Sequence, residues 1–156
     1  MSKCLDNKDK FHYDICGLDN IYLANGYEVF ETDEDSGISI VDVYGLHKAI
    51  AVHLCGLGRS LTGKEFRFLR IELDLSQRAL GLCFDKEDQT IANWEKGNTP
   101  VPRESDILLR NLYMESINEN PRVSDLINQI NEIDRAMQEN ETICFEERDK
   151  HWTRAA

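Results

Sequence analysis

The sequence predicts a mainly helical protein with a small α+β module at its N-terminal end. Three observations carry that expectation. From about residue 60 onward, apolar residues recur at helical spacing, as in Phe66, Leu69 and Leu73. Cap signals punctuate the same stretch: Thr62 with Glu65 three residues on, then Ser76, then Gly97. Before it, short β-forming runs surround Asn25-Gly26, the dipeptide that most readily takes two positive-φ turn positions.

The N-terminal module is expected over residues 1–58. Residues 21–24 and 27–31 read as the arms of a hairpin across Asn25-Gly26. A second turn over 33–37 leads to a third short strand at 38–41. A helix then runs from about Val43 to Leu54, with Leu46, Ile50 and Leu54 on one face. Gly56-Leu57-Gly58 reads as a linker.

Residues 59–119 read as a helical domain. The Thr62/Glu65 capping box opens its first helix and Ser76 caps the second. Asp85-Lys86 turns the chain, a third helix runs from Asp88 to Lys96, and Gly97 stops it. Pro100 and Pro102 lead into a fourth helix that reaches about Ser116. In residues 120–156, Val123, Leu126, Ile130, Ile133 and Met137 form an a/d stripe on one amphipathic helix, the expected dimer contact. Residues 143–146 read as a short strand, and Trp152 as an anchor for the tail.

Composition limits the function classes. A chain of 156 residues with 41% hydrophobic content buries one ordinary core or two small ones. No apolar run approaches the roughly 20 residues of a membrane span. Met1-Ser2-Lys3-Cys4-Leu5-Asp6 lacks the pattern of a signal peptide, so a soluble, cytoplasmic protein is expected. The five cysteines (Cys4, Cys16, Cys55, Cys83 and Cys144) are scattered and form no C-x-x-C pair. His12 and Cys16 share a helical spacing, but His47 and His53 do not, so no metal and no cofactor is expected. Asp42 near His47 suggests an acid–base pair without a nucleophile. With no phosphate loop or metalloprotease motif either, an enzyme is not expected.

The formal charge is −11, which disfavours a polyanionic partner, but it is unevenly spread. Residues 1–58 carry 4 basic and 10 acidic side chains, residues 104–156 carry 6 and 12, and residues 59–103 carry 8 and 7. Only the middle segment escapes the acidic bias. It holds Leu75-Ser76-Gln77-Arg78-Ala79-Leu80 and, after an acidic turn, Thr90-Ile91-Ala92-Asn93-Trp94-Glu95-Lys96-Gly97. That is the spacing of a helix-turn-helix whose second helix lies in the DNA major groove.

With Arg70-Ile71-Glu72-Leu73-Asp74 before it, residues 63–103 resemble the Cro/CI-type (lambda repressor-like, XRE family) helix-turn-helix regulators. The wider order also resembles MqsA-type antitoxins, without their zinc-binding cysteine pairs. The resemblance implies an ion pair between Arg70 and Glu95. It implies that Gln77, Asp88, Gln89 and Asn93 read DNA bases, and that Arg70, Arg78, Lys86, Lys96 and Arg103 neutralise phosphates. Gln and Asn each present a donor beside an acceptor, as adenine does. Two departures stand out: Asp85 replaces the usual turn glycine, and Gly81 stands where a small alanine is usual. The implied function is a homodimeric transcriptional regulator, an autorepressor on a palindromic operator. The alternative is an antitoxin that neutralises a small basic toxin by protein contact.

Overall fold

The computed structural model describes residues 10–118, 121–138 and 143–155. Over these residues the chain is mainly helical, with three two-stranded antiparallel sheets. The order is β1 (Phe11–His12), β2 (Tyr22–Leu23), β3 (Tyr27–Glu31), β4 (Ser36–Ile40), α1 (Val43–Cys55), α2 (Gly63–Glu72), α3 (Gln77–Phe84), α4 (Asp88–Lys96), α5 (Arg103–Ile117), α6 (Pro121–Gln138), β5 (Phe145–Arg148) and β6 (His151–Arg154). No helix among them is long and apolar enough to cross a membrane.

The hairpin expected across Asn25-Gly26 does not form. β2 pairs back to β1, with Phe11 opposite Leu23. β3 pairs forward to β4, with Tyr27 opposite Ile40 and Glu31 opposite Ser36. Gly26 still takes a positive φ of 79°, but it turns the chain between two hairpins. Burial explains the difference. Pairing with β1 places Leu23 in the core beside Tyr13, whereas Val29 and Phe30 on β3 are exposed. A local turn preference yields to that burial.

One buried cluster runs through the described residues. It takes Tyr13, Leu18 and Leu23 from the N-terminal segment and Ile50, Ala51 and Leu54 from α1. Phe66 and Leu69 of α2, Leu80 of α3, Ile91 and Trp94 of α4, and Leu109 and Tyr113 of α5 also belong to it. Phe66 meets Trp94 edge-on at 5.9 Å, a geometry favoured by the ring quadrupoles. The N-terminal segment therefore shares the core of the helices.

Polar ties fasten the same junction. The Tyr13 hydroxyl lies 2.7 Å from His47 Nε2, and His47 Nδ1 lies 2.8 Å from Glu72 Oε1. Residues 56–58, expected as a linker, are clamped: Arg110 donates to the carbonyls of Leu57 at 2.7 Å and Arg59 at 2.6 Å. Arg110 in turn is held by Asp106, which also accepts from the Leu61 amide at 3.0 Å.

The predicted caps are present. Thr62 and Glu65 close a reciprocal capping box on α2, and Glu65 also takes two hydrogen bonds from Arg59, at 2.7 and 3.0 Å. Burial alone would raise the Glu65 pKa, but the bonds from Arg59 and Thr62 outweigh it and hold the carboxyl below its ordinary value.

α6 forms as expected and packs on α3 and α5. Ile127 and Ile130 turn toward the core, so Ile130 contacts its own domain. Leu126, Ile133 and Met137 form an exposed row. The side chain of Val123, the fifth stripe residue, lies outside what the structure describes. The tail forms a hairpin of β5 and β6, but Trp152 is 72% exposed and does not anchor it.

Candidate nucleic-acid interface

The candidate site is built by α2, α3 and α4. Ser76 begins α3 by accepting the Ala79 amide on its hydroxyl at 2.9 Å. The helix ends at Asp85, in left-handed backbone (φ 53°, ψ 47°), where aspartate is among the better tolerated residues. The Lys86 amide then donates to the Gly81 carbonyl at 2.8 Å. A Cβ on residue 81 would stand 2.4 Å from the Lys86 carbonyl oxygen. Glycine is needed there so that the turn can close, a reason stronger than its small loss of helix propensity.

α4 opens at Asp88, whose carboxylate accepts from the Gln89 amide at 2.8 Å and suits the positive end of the helix. It ends at Gly97, with φ 76°, a conformation that needs glycine. Ile91, Trp94 and Glu95 are the buried face. Asp88, Gln89 and Lys96 are exposed, and Asn93 is half-buried beside them. Gln89 Nε2 donates to Asn93 Oδ1 at 3.2 Å, and Asn98 Nδ2 donates to the same oxygen at 3.4 Å. The amides thereby order one another on the surface of α4. These two bonds use neither the Gln89 oxygen nor the Asn93 amino group.

Glu95 and Arg70 fix that helix from behind. Arg70 Nη2 donates to Glu95 Oε1 at 2.8 Å and Nε to Oε2 at 3.0 Å, while Nη1 donates to the Leu75 carbonyl at 2.8 Å. The residues are 9% and 7% exposed. The ion pair expected from sequence is therefore present and buried. The same burial leaves little of Arg70 for an external phosphate. Gln77 is turned toward this pair, its amide nitrogen 3.4 Å from Glu95 Oε1.

The other expected cations are distributed around the site. Arg78 is partly exposed on α3, 3.8 Å from Asp134 of α6. Lys86 lines a groove with Arg78, Asp88 and Met137. Lys96 lines a cleft of about 370 Å³ with Arg67, Gln77 and Ala92. Arg103 opens α5 and lines a separate cleft with Cys55, Asp106 and Arg110. Burial pushes the Cys55 thiol up to about 11, so it is protonated at neutral pH.

Two contributors were absent from the sequence reading. Arg67, one turn before Arg70, is exposed and lies 3.8 Å from Glu95; its i, i+3 spacing from Arg70 was the available signal. Asp134 reaches the start of α3 from a helix far along the chain, and no local pattern announces that contact. Among the described residues, no group of three or more His, Cys, Asp or Glu side chains is arranged to hold a metal ion. Comparison with protein families, curated proteins and solved structures finds no match for this chain.

Proposed function

We propose that the chain is a sequence-specific DNA-binding transcriptional regulator. In this reading α3 and α4 are a helix-turn-helix, α4 enters the major groove, and a homodimer represses its own transcription from a palindromic operator. The observation that carries the proposal is the ordered amide pair Gln89 and Asn93, presented on the face of α4 opposite Ile91 and Trp94. Neutral amides held in this way suit base edges, because the pair together offers an acceptor, the Gln89 oxygen, and a donor, the Asn93 amino group. Asp88 can accept from a cytosine amino group but repels nearby phosphate, as does Glu87.

Arg67, Lys86 and Lys96 are exposed and Arg78 partly so; in this reading they are the phosphate ligands, so affinity falls steeply with added salt. Arg103, at the start of α5, is a further phosphate candidate. The exposed row of Leu126, Ile133 and Met137 on α6 supplies an apolar surface for a second copy. Two copies would then read half-sites about one helical turn apart.

The test is fluorescence anisotropy with the DNA upstream of the coding sequence against a scrambled duplex, over a salt series. The double variant Gln89→Ala, Asn93→Ala is expected to lose about 10- to 100-fold in affinity for the upstream DNA and little for the scrambled one. Equal selectivity in wild type and variant would refute the reading. A monomer by light scattering at tens of micromolar would refute the dimer.

A second reading is neutralisation of a small basic protein. It is favoured by Val29, Phe30 and Tyr44, exposed in a segment rich in acids. Co-expression with an adjacent basic reading frame separates it from the first.

A further inference from the structure

We infer that α6 is an autoinhibitory element, and that Asp134 occupies the place a DNA phosphate must take at the start of α3. The inference rests on the DNA-binding reading above and names its regulation. The Ser76 hydroxyl donates to Asp134 Oδ2 at 2.9 Å, and Asp134 Oδ1 lies 3.8 Å from Arg78 Nε. Asp134 is 7% exposed, so its carboxylate is buried at this contact. One turn earlier on α6, Asn131 Nδ2 donates to the Asp74 carbonyl at 3.4 Å, which places α6 across the α2–α3 turn.

A hydroxyl, a guanidinium and the positive end of a helix form a ligand set for a phosphate oxyanion. Here an anion of this chain already fills it. Two anions cannot share that position, so DNA must displace Asp134 before Ser76 and Arg78 can take a backbone phosphate.

What holds α6 there is modest in extent. Ile127 and Ile130 are only partly buried, and Leu126, Ile133 and Met137 are about half exposed. The helix can therefore be withdrawn without opening the central core of Phe66, Leu80 and Ile91. The contact also explains why a chain bearing a phosphate-binding corner keeps an acid against it: the acid sets the threshold of salt and DNA concentration at which binding begins.

The test compares the full-length chain with Asp134→Asn and with Glu132→Gln, which removes the same charge from an exposed position on the same helix. Asparagine can still accept from the Ser76 hydroxyl, and thermal unfolding confirms that each variant is folded. Asp134→Asn is expected to bind duplex DNA about 5- to 20-fold more tightly at low salt. Its log-affinity plot against log salt should steepen by about 0.9 for each protomer, the signature of one gained phosphate contact. Glu132→Gln is expected to change affinity less than about twofold, because Glu132 is exposed and two residues from Asp134 on a helix, so it does not face the Ser76–Arg78 corner. Adding Arg78→Gln to Asp134→Asn should abolish the gain.

An equal gain in Glu132→Gln, or a gain that survives loss of Arg78, overturns the inference. Selective binding by wild type with no gain in Asp134→Asn overturns it too and leaves the DNA-binding reading standing. Failure of wild type and Asp134→Asn alike to bind any duplex at low salt overturns the DNA-binding reading itself.

Discussion

Replacing Glu95 with glutamine keeps its volume and removes one charge from the buried pair behind α4. Glu95 is 7% exposed and receives Arg70 at 2.8 and 3.0 Å, so the substitution leaves a guanidinium enclosed without its counter-charge. Breaking such a pair from one side typically costs about 3–5 kcal/mol. The lower end applies, because Arg70 keeps the Leu75 carbonyl and the glutamine oxygen can accept one bond. A loss of about 3 kcal/mol corresponds to a fall of roughly 6–12 °C in Tm for a chain of this size.

Urea unfolding with a shared m-value reads the loss, and a cycle with Arg70→Met isolates the pair. Arg70→Met leaves Glu95 with Arg67 at 3.8 Å and the Gln77 amide at 3.4 Å, and should cost a similar amount. The double variant has no isolated charge, so it should cost about 2 kcal/mol less than the two singles added together. Costs that add within about 0.5 kcal/mol, or a loss below about 1 kcal/mol for Glu95→Gln, would show that the pair is not a coupled buried unit.

Two further outcomes follow from the geometry. Gly81→Ala should destabilise by about 1–3 kcal/mol in urea unfolding despite alanine's better helix propensity, because its Cβ would lie 2.4 Å from the Lys86 carbonyl; a stabilised variant would mean the turn relaxes freely. Glu65 has a pKa held below its ordinary 4.5, so the stability it contributes is present above that value and is lost as pH falls through the lower, folded value. Wild type should therefore lose stability below about pH 4.5 more steeply than Glu65→Gln. Parallel acid-unfolding curves would remove Glu65 from that dependence.

What could be read in advance was whatever depends on neighbours within one turn. Thr62 with Glu65, Ser76, Asp85 and Gly97 marked the helix ends, because caps and left-handed turns are decided by adjacent backbone. The face of α1 followed from the 3.6-residue period, which is why Ile50 and Leu54 are buried. The Arg70–Glu95 pair was legible only through resemblance, since nothing local joins residues on separate helices.

Tertiary structure decided the rest. The partner of β2, the clamp of Arg110 on residues 57 and 59, the fit of Gly81 under Lys86, and Asp134 against Ser76 all join segments that a one-dimensional pattern treats separately. Each is settled by burial and close approach. These depend on which surfaces compete for the same space, and spacing along the chain does not encode that competition.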